Sequence, residues 1–469
     1  MRYRSALFAT VIAASCAAPP RTSAVAPGPP VARETSAPAA ITPSVAPSPG
    51  ALETEPPAPV CPPIDEAKLA PPACDGTFIT TPVPDVVDAR GSLSFFYERL
   101  AALARGRATD HVRMAMYGDS NLTMDGITGQ LRRHWQTRLG DGGHGWVSLA
   151  RPWGWYQHED VRHSGTWRHF RQISTSTDQI KDAHYGLANI AAEGYGAGAA
   201  AWVGTAREGA AVGLRASRFD LYWLQQPNGG DFDVLVDGRP AATISTRSRG
   251  YEAAFRRFDL PDGPHELRAV LAGHGSVRLF GVTMEREVPG LVVDSLGAGA
   301  LNFEQMAHVK TSTRRPMIAR RRWDLVAFQL GTNMFALSAH KDWAKAVIAE
   351  LRATLHGASL LLVTPADLIL DVNDPHSDPR IITIARQLRE IAAETGIAFW
   401  DFREAMGGDA SIRAFIKRDL AERDRVHLKK AGAELMADRM LCALTRDLRA
   451  YLASHPDAGC GGEPPPSVL

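Results

Sequence analysis

Ser120, Asn333, Asp424 and His427 are the side chains whose types and order could break an ester or amide bond. A serine hydroxyl is a weak nucleophile at neutral pH unless a base takes its proton. His427 could be that base, with Asp424, three residues earlier, fixing its tautomer and stabilising the imidazolium. A carbonyl under attack gathers negative charge, so the same chemistry needs preformed donors. The Ser120 N–H and the Asn333 amide are candidates. Neither metal nor organic cofactor is required.

These groups must converge, and the flanking patterns say how. The apolar run His111–Tyr117 reads as a buried strand ending at Gly118-Asp119-Ser120, and Met124–Leu139 reads as an amphipathic helix carrying Ile127, Leu131 and Trp135 on one face. Ser120 then sits at the C-terminal end of a strand, where open α/β sheets bind ligands. A helix at Leu93–Leu103 precedes it. Beyond residue 322, strands (Trp323–Leu330, Ser359–Thr364, Ile397–Asp401) alternate with helices (Asp342–Leu355, Ile382–Glu394), the signature of a parallel sheet covered by helices. Between these halves, residues 165–288 are rich in glycine and alternating apolar positions, and Asp237-Gly238 marks a tight turn. Strands are expected at Phe219–Leu224, Phe232–Val236, Ala241–Ser245, His265–Leu271 and Val277–Met284, forming an antiparallel, jelly-roll-like β-sandwich that interrupts the α/β domain.

Two motifs mislead. His158 and His163 are five residues apart, whereas a zinc-binding H-E-x-x-H needs four to put both on one helix face. Gly194-Tyr195-Gly196-Ala197-Gly198 lacks the strand and helix of a dinucleotide loop, so its glycines belong to strand and turn.

The ends of the chain carry other signals. Arg2 and Arg4, the apolar stretch Ala6–Ala14 and Ala13-Ala14-Ser15-Cys16 read as an export signal whose cysteine becomes a lipid anchor, with residues 1–15 removed. Half of the 32 prolines lie between Pro19 and Pro72, so residues 16–75 read as an extended tether. No later segment has the ~20 consecutive apolar residues of a membrane span, and the expectation is a soluble, monomeric domain held to the membrane only by its anchor. Lys+Arg 52 against Asp+Glu 51 excludes nucleic acid held by charge. Cys61, Cys74, Cys442 and Cys460 favour two disulfides in an exported protein, with three pairings open. The hydrolase portions are expected at 76–164 and 289–460, with a tail at 461–469.

The order Gly118-Asp119-Ser120, Gly331-Thr332-Asn333, then Asp424-Arg425-Val426-His427 resembles the SGNH, or GDSL, hydrolase superfamily, whose glycine station would be Asp294-Ser295-Leu296-Gly297-Ala298-Gly299. The resemblance implies a further backbone N–H donor to the oxyanion from Gly297 or Gly299, or from Ala300 if the register shifts. With "LGDGGHGWV" (Leu139–Val147), "DSLGAGA" (Asp294–Ala300) and the interrupting sandwich, residues 110–441 look like peptidoglycan O-acetylesterases that carry an inserted carbohydrate-binding-like module. The resemblance implies a three-layer, flavodoxin-like α/β domain with catalytic Ser120, Asp424 and His427. It further implies an esterase acting on an acylated cell-envelope polysaccharide. An O-acetyltransferase with the same triad and a non-catalytic glycan-binding lipoprotein are the alternatives. Trp153, Trp155, Tyr156 and Trp202 are candidates for stacking on sugars, or for packing. Asn121 departs from many relatives, which carry histidine there.

Overall fold

The computed structural model describes residues 61–74, 78–165, 167–172, 178–334 and 337–461. The signal segment, Cys16 and the tether up to residue 60 lie outside these residues.

Five parallel strands form the central sheet in the order Leu291–Gly297, Val112–Gly118, Leu325–Gln329, Ser359–Val363 and Ala398–Trp400. Every residue of these strands is buried, which explains why their sequences are continuous apolar runs rather than alternating ones. One face packs against helices Ser94–Ala104, Gly126–Leu139 and Lys430–Ser454 through Phe96, Leu131, Trp135, Met436 and Leu444. The other face packs against helices Thr311–Arg321, Leu337–Thr354 and Pro379–Thr395 through Ile318, Val347, Ile384 and Leu388. Local signals set the ends of Pro379–Thr395. The Asp378 side chain accepts the Arg380 N–H, Pro379 starts the first turn, and Gly396 stops the helix at φ +66°. This architecture matches the expected interrupted α/β domain.

The insert consists of two antiparallel sheets. One runs Glu252–Gly263, Ala216–Gln225, Val277–Glu285, Ile190–Gly194 and Arg168–Arg171, with Gly145–Val147 also on Val277–Glu285. The other runs Val161–Gly165, Ala200–Thr205, Glu266–Gly273, Asp231–Val236 and Arg239–Ser245. Phe219, Phe232, Val234, Leu267 and Leu279 fill the space between them.

Two boundaries differ from expectation. The antiparallel structure begins at Gly145 and Val161, before residue 165: after helix Gly126–Leu139 the chain pairs first with Val277–Glu285 and then with Ala200–Thr205. Trp146, Tyr222 and Phe280 from the insert also share one apolar core with the parallel sheet. Residues 61–74, expected to be tether, are held to the folded region instead. Disulfides Cys61–Cys460 and Cys74–Cys442 strap residues 61–74 to the C-terminal region, with Leu69 buried and Lys68 Nζ on the Ala104 carbonyl at 2.8 Å. The pairing joins the two ends of the folded region, one of the options that spacing alone left open.

Candidate active site

The Ser120 station is a tight turn laid across the ends of two strands. Gly118 and Gly297 are register partners, and both face Leu122 of the 3₁₀ turn Ser120–Leu122. A Cβ on Gly118 would lie 2.7 Å from the Leu122 Cβ, and one on Gly297 would lie 2.6 Å from the Leu122 carbonyl carbon. Glycine at both positions is therefore what allows the turn to close over the sheet. Asp119 caps the turn by accepting the Asn121 N–H at 3.1 Å, and the Thr123 hydroxyl donates to the Ser120 carbonyl at 2.8 Å. Burial pushes the Asp119 carboxyl up, opposed by the Asn121 N–H, Thr332 and the His427 charge.

Ser120, His427 and Asp424 come together in a line. His427 Nε2 is 2.7 Å from Ser120 Oγ, and its Nδ1 is 2.6 Å from Asp424 Oδ2. Asp424 Oδ1 accepts the N–H groups of Val426 and His427 at 3.0 and 3.1 Å. These bonds outweigh the cost of partial burial and hold the Asp424 carboxyl below the usual carboxylate range. Between them Arg425 takes φ +70°, a conformation costly for a residue with a side chain, and it is what folds the short loop so that Asp424 faces its own histidine. The pair is open to solvent, with side-chain exposures of 49% and 39%.

Asn333 sits in the loop after Leu325–Gln329, and its buried Nδ2 has no hydrogen-bond partner among the described residues. Its carbonyl accepts Asn302 Nδ2 at 3.2 Å. Asn302 caps helix Phe303–His308 in a reciprocal box with Gln305, so the glycine station and the Asn333 loop are tied together. At that station the Ala298 N–H donates to the Gly118 carbonyl at 3.1 Å, and Gly297 lies inside the strand. Gly299 and Ala300 form the exit turn, with Ala300 at φ +60°.

Asn302 and Asn121 were not read as site-building residues from sequence. The Asn-x-x-Gln spacing of a capping box was a usable signal for the first. Asn121 carried no local signal, because its partners lie some 300 positions away at Val426 and Leu428.

Among the described residues, Asp125, His144 and His158 offer ligand atoms within 4.8 Å of one another. Both Asp125 oxygens already accept from Arg132, and the Thr128 hydroxyl and the Glu159 N–H complete the set. His144 Nε2 meets His158 Nδ1 at 3.1 Å, and Tyr156 Oη meets His158 Nε2 at 2.7 Å. Arg132 and Asp125 thus form a buried ion pair that already occupies both carboxylate oxygens, while His144 Nδ1 is left without a hydrogen-bond partner among the described residues. His163 is buried beside it. Of the aromatic candidates, Trp155 is open, at 61% exposure, whereas Tyr156 is buried and Trp202 is flanked by Arg162 and Arg268. Gly194 ends a strand and Gly196 and Gly198 turn the chain at positive φ, as expected.

A solved peptidoglycan O-acetylesterase has 22% sequence identity to the chain and a TM-score of 0.65, with 78% of this chain and 99% of that chain covered. The chain has the SGNH fold. A family two carbohydrate esterase from Cellvibrio japonicus (12% identity, TM-score 0.26, 66% of this chain and 98% of that chain) is far less alike. So is a salicylyl-acyltransferase from a tetracycline biosynthetic pathway (16% identity, TM-score 0.27, 67% and 95%). No protein-family model matches the sequence, and no curated protein matches it. On the SGNH fold, the Ser120 turn, the Gly299 turn and the Asn333 loop all follow C-terminal ends of parallel strands, where the strand ladder stops and backbone groups are free to meet a ligand.

Proposed function

We propose that the chain is a serine esterase that removes O-acyl groups, acetyl foremost, from a cell-envelope carbohydrate such as peptidoglycan. The observation that carries this reading is the contact of Asp424 and Ser120 with the two ring nitrogens of His427, with the unpartnered Asn333 amide on the loop after the neighbouring strand. The His427 Nδ1–H donates to Asp424, which leaves the Nε2 lone pair to accept the Ser120 proton as Oγ attacks the ester carbonyl. The negative oxygen is met by the Ser120 N–H, the Gly299 N–H and Asn333 Nδ2. His427 then returns the proton to the departing sugar oxygen, leaving acyl-Ser120, and a water repeats the sequence to release the acid.

The carbohydrate reading draws support from the likeness to a peptidoglycan O-acetylesterase and from the surface beside the turn. The Gln157 N–H donates to the Thr123 carbonyl at 3.3 Å, and Gln157 lines a cleft of 610 Å³ with Arg151, Arg162, Arg207 and Trp202. The cleft is tied to the Ser120 turn through that Gln157–Thr123 bond, and its arginines and Trp202 offer donors and an aromatic face to a sugar. The two disulfides suit an exported protein, and an anchor at Cys16 would hold it in the envelope. No helix among the described residues is long and apolar enough to cross a membrane.

Acetate release from O-acetylated peptidoglycan and from p-nitrophenyl acetate tests the substrate. Faster release from the glycan, at equal ester concentration, is expected. Turnover of the small ester alone would contradict the carbohydrate assignment.

A further inference from the structure

Asn121 stands next to the nucleophile, yet its side chain turns away from the ester site toward the histidine loop. It is 8% exposed, and both ends of its amide are engaged. Nδ2 donates to the Val426 carbonyl at 3.3 Å, and Oδ1 accepts the Leu428 N–H at 2.9 Å. These two backbone groups belong to the residues on either side of His427. The His427 carbonyl accepts the Glu422 N–H, so the loop is pinned on one side by its own backbone and on the other by Asn121. At the other end, the Asn121 N–H is fixed on Asp119, whose carboxylate caps the Ser120 turn.

We propose that Asn121 is a positioning residue that holds His427 in line with Ser120 by clasping the peptide groups before and after it. The loop needs such a clasp for a physical reason. Arg425 stores backbone strain at φ +70°, and Asp424 and His427 are too exposed for packing to fix them. The nucleophile and its base lie 307 positions apart in the chain, so their 2.7 Å contact depends on a direct link between the two loops. A primary amide supplies that link because it presents a donor and an acceptor side by side. Aspartate in the same place keeps the acceptor for Leu428 but opposes the Val426 carbonyl with a second oxygen. The departure from histidine at this position is therefore a working element of the site rather than a mark of decay.

The inference rests on the esterase reading for its kinetic test, and a second readout stands apart from it. Asn121→Ala and Asn121→Asp are compared with wild type on p-nitrophenyl acetate, with thermal melts alongside. The expected result is kcat lower by about 10- to 100-fold with KM changed by less than about twofold, since small misplacements of a catalytic group cost rate rather than binding. Variants that melt as wild type does and keep kcat within about twofold would overturn the clasp. So would a loss of kcat that merely follows the fraction unfolded. Independently of turnover, proton NMR of the His427 Nδ1–H, downfield-shifted by its bond to Asp424, should show a sharp resonance in wild type that broadens or disappears in both variants. An unchanged resonance would overturn the clasp even if wild type hydrolysed no ester, and that inactivity alone would count only against the esterase reading.

Discussion

Two clusters built from aspartate, histidine and a hydroxyl are opposites. At the strand ends, Asp424, His427 and Ser120 form an open line with about half of the aspartate side chain in solvent. Beneath the insert, Asp125, His144, His158 and Tyr156 form a knot that is buried throughout. In the knot every Asp125 oxygen is taken by Arg132, Thr128 or the Glu159 N–H, and the Arg132 guanidinium reaches on to the Val293 carbonyl at 2.9 Å. In the line, the serine oxygen has one face on His427 and an unpartnered amide nearby. On the proposed function, the same residue types do chemistry only where a substrate has access. In the buried cluster they join elements, here the helix Gly126–Leu139, the strand Leu291–Gly297 and the Gln157–Glu159 segment.

Substitutions should separate the two clusters by what they damage. Ser120→Ala should remove ester hydrolysis by about 10⁴-fold or more while leaving the melting temperature near that of wild type. Residual turnover close to wild type would remove Ser120 from the role of nucleophile. Asn333→Ala should cost roughly 2.7–4 kcal/mol of transition-state stabilisation, about 10²- to 10³-fold in kcat, with KM little altered. A change confined to KM would mean that the amide binds substrate rather than the developing oxyanion.

In the buried knot the sign of the experiment reverses. Asp125→Ala strands the Arg132 guanidinium at 0% exposure, so the fold should lose about 3–5 kcal/mol, read by denaturant unfolding. The protein that remains folded should still turn over ester. Loss of kcat at full stability would instead make Asp125 part of the active site.

A smaller effect comes from His158 of the knot and His163 beside it. Burial pushes His158 down to about 3 and His163 down to about 4, so both remain neutral in the fold. An unfolded chain binds protons at these positions below about 6.5, so between about 6.5 and 4 the unfolded state holds more protons and stability falls as pH falls. The melting temperature should drop from pH 7 to pH 5 by several degrees. A flat profile across that interval would show that these histidines are not desolvated as described.

The sequence revealed those parts whose cause is local. The α/β alternation, the strand after which Ser120 falls and the order of the stations were legible because buried parallel strands are unbroken apolar runs and their ends carry glycine and polar residues. The edge of the insert was not. Glu252–Gly263 is a long strand with an exposed, charged pattern and Pro261 near its end, features that edge strands tolerate and that hide their periodicity. Gly145–Val147 is too short to show alternation at all. The Cys61–Cys460 and Cys74–Cys442 pairing and the Asn121 clasp depend on chain segments hundreds of residues apart, and no window of sequence contains both partners.

The most direct test of the central claim is to quench the full-length protein in acid during turnover of p-nitrophenyl acetate and map the acetyl group by peptide mass. The account predicts one acetyl group on Ser120 in the wild-type protein, formed in a burst of nitrophenol, and none in Ser120→Ala. Equal nitrophenol release from both proteins, or acetyl on another residue with Ser120 unmodified, would contradict it.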